Sequence, residues 1–236
     1  MRQAQRFAAS RGDVSFAVIE PSSGVSGYDA ERSYSSASLS KALLLAAELR
    51  RLQRQRPPLD AATRALLEPM ITLSDNRAAD AIYARVGDAG LDEVARRAGM
   101  RAFEPVPGFW GGDHVTAADM AHFFYRLDAN LSGPHRHYAK LLLSGISSVE
   151  SWGIPEVAGH RWTVWFKGGW RPAGQRHTSG PVTHQAALLE HTGGERLGLA
   201  VLSDEVPGAG GFSAIEGVAA RLLARPPPYR GGWLAP

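Results

Sequence analysis

Ser38-Leu39-Ser40-Lys41 opens the stretch SLSKALLLAAELRRLQ (38–53), from which the rest of the chain is read outward. Leu39, Ala42, Leu43, Ala46, Leu49 and Leu52 recur at three- and four-residue spacing, which predicts a helix that PPLD at 57–60 ends. Side chains at i and i+3 share a helical face, with Cβ atoms about 5–6 Å apart, so Ser38 and Lys41 are neighbours. Ser38 lies at the N-terminal end, where free backbone N–H groups and the helix dipole favour a developing oxyanion. A serine hydroxyl becomes a useful nucleophile when an adjacent base takes its proton, and a desolvated lysine can do so. The plain structural reading is a capping serine beside a solvent-facing lysine, and this motif alone leaves both readings open.

The lysines themselves carry information. Of 26 Lys and Arg residues only three are Lys: Lys41, Lys140 and Lys167. Arginine does not lose its proton in proteins, whereas burial can shift lysine towards neutrality. Lys167-Gly168-Gly169 closes the strand-like run TVWFK. Glycines there would let a substrate lie against a strand edge, with Lys167 supplying charge for a carboxylate. Between the two lysines, Ser74-Asp75-Asn76 follows the apolar EPMITL and precedes a new helical pattern. Read structurally, it is a helix cap, and K-G-G is a strand ending in a glycine turn. Read chemically, Ser74 is a second hydroxyl that relays a proton, and Asn76 presents its amide to a substrate.

Around these motifs, MRQAQRFAASRG reads as a short helix. DVSFAVIEP and VSGYDAERSYS read as two antiparallel strands. Residues 61–147 read as mainly helical, with an irregular Gly/Pro-rich stretch, MRAFEPVPGFWGGDHV, inside them. RWTVWFKGG, PVTHQAALLE and RLGLAVLSD read as three further strands, followed by the helix FSAIEGVAARLLA. Strands split by a helical block predict an α+β fold in which the first and last thirds share one five-stranded antiparallel sheet, flanked by the terminal helices. The expectation is one domain over 1–236. Residues 1–37 and 150–225 would form its α/β part, 38–149 an all-helical insertion after the second strand, and 226–236 a loose tail. A cleft is expected where the helical block meets the sheet.

S-x-x-K, S-D-N and a lysine-glycine strand, in that order and on those elements, resemble the signature set of class A β-lactamases and penicillin-binding proteins. The chain resembles the class A β-lactamase-like, penicillin-recognising serine hydrolases over roughly residues 8–224. GYDAERSYSSASLSK looks like the family's second strand leading into the nucleophile helix, and MITLSDNRAADAIYARVG like its S-D-N segment. VTAADMAHFF looks like the helix after the omega loop, and WFKGGW to VLSD like the last three strands. The resemblance implies that Ser38 forms an acyl-enzyme with Lys41 as general base, on a β-lactam, a D-alanyl peptide or a related amide or ester. It further implies that Ser74 relays the proton, Asn76 holds the acylamide and Lys167 attracts the substrate carboxylate. The backbone N–H groups of Ser38 and Trp170 would form the oxyanion hole.

Two departures bear on activity. K-G-G replaces K-T-G, so Gly168 supplies no hydroxyl. The family's E-x-x-L-N, whose Glu activates the deacylating water, is absent from the shortened FEPVPGFWGGDHV stretch, where Glu104 is the remaining candidate base. Slow deacylation is therefore expected. The competing class is a non-catalytic penicillin- or peptidoglycan-fragment-binding sensor on the same fold.

Other chemistries find little support. The absence of cysteine excludes disulfides and thiolate chemistry. A formal charge of +3 from scattered arginines, without interleaved aromatics, speaks against nucleic-acid binding. No apolar run reaches the roughly 18–20 residues of a membrane helix, and MRQAQRFAASRG lacks the apolar stretch of a signal peptide. That is compatible with an intracellular protein or with a chain numbered after a removed leader, while the family resemblance suggests a place outside the cytoplasm. No cofactor or metal is implied, and a monomer acting on a small molecule or peptide is expected. His135-Arg136-His137 reads as a surface loop. His177 and His184 read as strand-face or solvated residues that could line the cleft. Trp110, Trp152 and Trp165 read as packing, with Trp170 set apart by its place beside the third motif. GAGG at 208–211 reads as a loop.

Overall fold

The computed structural model describes residues 1–21, 24–172, 181–204 and 210–223. Helix α1 (Arg2–Ala9) leads into β1 (Asp13–Glu20) and β2 (Gly24–Tyr28). The C-terminal third supplies β5 (Trp162–Arg171), β6 (Val182–His191), β7 (Arg196–Asp204) and α9 (Gly210–Leu223). These five strands form one sheet in the order β2-β1-β7-β6-β5, with every neighbouring pair antiparallel. The predicted sharing of a sheet between the two ends of the chain is thus observed. β5, which carries Lys167, is an edge strand.

Helices cover both faces of the sheet, which is why β6 and β7 are buried almost without alternation. On one face, α9 lies against β6 and β7 and is joined by α1 and by α8 (Ile154–Ala158). On the other, α5 (Ala117–Tyr125) crosses β1, β7 and β6, and α7 (Gly133–Ser144) reaches β5. Beyond α5 lie α2 (Ser40–Gln55), α3 (Ala61–Thr72), α4 (Asn76–Ala98) and the short α6 (Leu127–Asn130). α2 is buried on nearly every side, with Leu43, Leu44, Leu45 and Leu49 in the core. Such all-round apolarity fits a central helix rather than a surface one.

Three expectations need correction. SYS at 33–35 does not continue the second strand. Asp29 adopts a left-handed φ of 44°, and the chain then turns into β3 (Ser33–Ser35), which pairs with β4 (His114–Thr116) in a separate two-stranded sheet. The block 38–149 therefore contains a strand and is not all-helical; three-residue strands are too short to show a period. Second, Ser38 sits in a 3-10 turn, Ala37–Leu39, and α2 begins only at Ser40. Third, His135 and His137 lie on α7, because Pro134 is seated in its first turn. The expected tail at 226–236 lies outside the described residues.

The sheet edge and the Ser38 turn touch closely. An ideal Cβ on Gly169 would stand 2.9 Å from the backbone nitrogens of both Ser38 and Leu39. Gly169→Ala should therefore lower stability by about 1–3 kcal/mol and slow any reaction at Ser38. Denaturant midpoints of the two proteins check this, and equal midpoints would mean that the strand simply moves aside.

Candidate active site

Ser38, Lys41, Ser74, Asn76 and Lys167 come together at the junction of α2, α4 and β5. Ala37 is held left-handed at φ 47°, which turns the chain so that Ser38 faces the cleft at the mouth of α2. Ser74 is likewise left-handed, at φ 57°, in the link between α3 and α4. Asp75 takes the N-cap of α4, accepting from the N–H of Ala78. Capping is thus the task of Asp75, which leaves Ser74 and Asn76 to face inward. Such conformations cost on the order of 1–3 kcal/mol each and persist where surrounding packing imposes them.

Lys41 Nζ lies 2.9 Å from Ser38 Oγ, 2.7 Å from Asn76 Oδ1, 3.2 Å from Ser74 Oγ and 2.5 Å from the Ser74 carbonyl. A neutral amine has two donors and one lone pair. Donation to Asn76 and to the Ser74 carbonyl leaves the lone pair for the Ser38 hydroxyl. Lys167 Nζ donates to Ser74 Oγ at 3.0 Å and to the Gly168 carbonyl at 2.9 Å. Both lysines are fully buried. Burial, reinforced by the nearby charge of Lys167, brings Lys41 down to about 7, while Glu150, Asp75 and Asp80 pull weakly the other way. Burial alone brings Lys167 down to about 8, opposed by Glu150. Lys41 is thus able to hold or release a proton near neutrality, as a general base must.

The cleft in front of Ser38 has a volume of about 790 Å³ and is walled by Asn76, Asp80, Tyr83, Phe109, Trp110 and Trp170, among others. A smaller recess shares Ser38, Asn76 and Trp170 with this cleft and is further lined by Leu73, Ser74 and Glu150. Trp170 is 53% exposed and borders both. Gly168 faces away from this cleft: its ideal Cβ would lie 2.9 Å from the Trp152 ring. The missing hydroxyl of K-G-G therefore has a local cause. Gly168→Thr should destabilise the fold by about 1–3 kcal/mol, and removing the ring in a Trp152→Ala background should remove most of that loss in thermal melts.

Not every expected residue arrives at the site. Glu104 is exposed, bridges His114 through its main chain and does not line the cleft. His184 is buried behind it on β6. Its Nδ1 accepts from the Ser203 N–H and its Nε2 faces the Ser35 carbonyl, so burial holds it neutral, down at about 4. His177 lies outside the described residues. Among the described residues no group of three metal-ligating side chains occurs. Sequence reading missed Asp113, which accepts from Ser40 Oγ at 3.1 Å and from the Val106 N–H. Burial pushes its carboxyl up to about 7. It also missed Asp80, one turn beyond Asn76 on α4; the i, i+4 spacing was the available signal.

A pH dependence follows from Lys41. Protonated, it has no lone pair for Ser38, so any acylation of Ser38 should speed up as pH rises through about 7. An unfolded lysine titrates near ~10.4, so the unfolded chain holds more protons between the two values and stability also rises with pH above about 7. Stopped-flow acylation and denaturation across pH 5–10 (roughly the window of these shifts) check both slopes, and a flat acylation profile would remove Lys41 as the base.

Similarity to known proteins agrees with this geometry. PBP-A aligns with 94% of this chain and 94% of its own, at 18% identity and a TM-score of 0.76. A point mutant of PBP-A, solved as an acyl-enzyme complex with penicillin G, aligns equally well. A β-lactamase from Sphaerobacter thermophilus aligns at 20% identity and a TM-score of 0.77, over 94% of this chain and 95% of that one. One from Chitinophaga pinensis aligns at 13% identity and a TM-score of 0.81, over 94% and 97%. At these identities the likeness is one of fold. No curated protein matches. The family model described as "Beta-lactamase enzyme family" matches residues 49–225, a span that starts within α2 just after Ser38 and Lys41. That match covers well over half of the chain, and the protein belongs to the beta-lactamase enzyme family.

Proposed function

We propose that the chain is an acyl-transferring serine hydrolase that forms an ester at Ser38 with a β-lactam, a D-alanyl peptide or a related amide or ester. The observation that carries this reading is the contact of 2.9 Å between Lys41 Nζ and Ser38 Oγ, in a site that holds the lysine near neutrality. Ser38 Oγ attacks the carbonyl carbon as its proton passes to Lys41. The N–H groups of Ser38 and Trp170 hold the oxyanion. As the C–N bond breaks, Ser74 Oγ hands a proton to the leaving nitrogen and takes one from Lys41, from which it lies 3.2 Å. Lys167, 3.0 Å from the same oxygen, favours the negative character Ser74 acquires in transit. Asn76 positions the acylamide. All these groups come from one chain, so no second copy is needed to complete the site, in keeping with the monomer expected from the sequence.

A non-catalytic sensor would share the fold, and K-G-G with the absent E-x-x-L-N motivates it. The alignment of Lys41 on Ser38 favours the enzyme, because a binding domain has no need of a desolvated base at a serine. Intact-protein mass spectrometry over time with penicillin G distinguishes them. The wild type should gain the mass of the opened drug and lose it slowly, while Ser38→Ala should gain nothing. An adduct of equal size on Ser38→Ala would sink the assignment of the nucleophile.

A further inference from the structure

Turnover requires a base for the water that releases the acyl group, and neither Glu104 nor an E-x-x-L-N motif supplies one. We propose that Asp80 is that base. Asp80 is the one carboxylate among the described residues lining the large cleft, which it shares with Ser38 and Asn76. It follows Asn76 by four residues on α4, on the same helical face and with Cβ atoms about 5–6 Å apart. Asn76 in turn contacts Lys41 Nζ at 2.7 Å, so the chain of neighbours from Asp80 to Ser38 is short. Asp80 Oδ1 accepts from Trp110 Nε1 at 2.8 Å, which fixes the carboxylate. Oδ2 has no hydrogen-bond partner among the described residues and is left for water. The Trp110 ring also stands under Lys41 Nζ, 5.1 Å from its centre, so one indole orients the acid and borders the lysine.

Other acids are placed less well. Asp113 is buried behind the cleft and committed to Ser40 and Val106. Glu150 lines the recess with Ser74, the side on which the leaving nitrogen receives its proton. Asp80 lines the large cleft with Ser38 and does not line that recess, so a water held by its carboxylate need not share the space of the departing group. Water then adds to that carbonyl as Asp80 takes its proton. The tetrahedral intermediate collapses with cleavage of the bond to Ser38 Oγ, and the proton that Asp80 took from the water returns to that oxygen by way of Lys41, 2.9 Å from it. One water is consumed, a free acid and serine are restored, and Asp80 and Lys41 end in the protonation states in which they began.

The inference rests on the acyl-enzyme reading above, and the test separates the two. Wild type, Asp80→Asn and Trp110→Phe are mixed with penicillin G, and the Ser38 adduct is followed by quenched-flow mass spectrometry. Asp80→Asn should acylate within about twofold of wild type and lose the adduct at least ~10-fold more slowly, as expected for loss of a general base. Trp110→Phe, which keeps an aromatic ring but removes the N–H donor, should slow adduct loss by a smaller factor. Acylation of Asp80→Asn at the wild-type rate also reports that its site is folded. Equal rates of adduct loss in wild type and Asp80→Asn would overturn the role of Asp80 while leaving the acyl-enzyme intact. Absence of adduct on every protein would overturn both, since no ester would exist to hydrolyse.

Discussion

The site depends on two lysine side chains held in the protein interior without a carboxylate in direct contact. Among the described residues neither Lys41 nor Lys167 makes an ion pair within 4.0 Å. Two ammonium groups sharing one hydroxyl, Ser74 Oγ, repel each other, and burial makes each charge costly. The response open to a lysine is to give up its proton near neutral pH, which is what the proposed acyl transfer would need from it. An aspartate placed between them would stabilise the fold and would hold both lysines protonated. The arrangement therefore trades stability for a usable base.

Such a centre holds only if the surrounding structure over-determines it. α2 is gripped on nearly all sides by core side chains, so Lys41 cannot swing out to water without moving a helix. The left-handed Ala37 and Ser74 sit at the two serines of the site, where the chain must turn sharply to aim a hydroxyl. Behind the Ser38 turn, Ser40 Oγ lies 2.8 Å from Ser36 Oγ and 3.1 Å from Asp113 Oδ2, its single hydrogen serving one contact at a time, while the Ser36 N–H donates to the Asp113 carbonyl. This knot of buried polar groups ties the irregular segment after α4 to the turn that carries Ser38. Satisfied networks of this kind resist rearrangement because breaking one bond leaves a buried group unpaired.

The K-G-G motif shows how a family pattern bends to local packing. Gly169 is glycine because β5 runs against the backbone of Ser38 and Leu39, while Gly168 is glycine because Trp152 fills the space its side chain would take. Trp152 itself is held edge-on to Phe212 of α9, and its carbonyl accepts from Gln185. The two glycines are adjacent in sequence and answer to opposite faces of the sheet, as the alternation of a strand requires.

What the sequence determined by itself was whatever short spacing encodes. The i, i+3 step from Ser38 to Lys41, the cap-like Ser74-Asp75-Asn76 and the long alternation of apolar and polar periods were enough for the element order and the shared sheet. Family resemblance then attached chemistry to Ser38, Lys41, Ser74 and Lys167. Three-residue strands such as SYS and HVT escaped, since a period cannot be read from so few positions. The tertiary structure alone decided the burial of the lysines, the reason for Gly168, the seclusion of His184 and the exclusion of Glu104 from the cleft. It also brought Asp80 into that cleft and set Asp113 behind it. Each of these turns on burial, and burial is fixed by which residues distant in the chain pack together, a property that no local stretch of sequence contains.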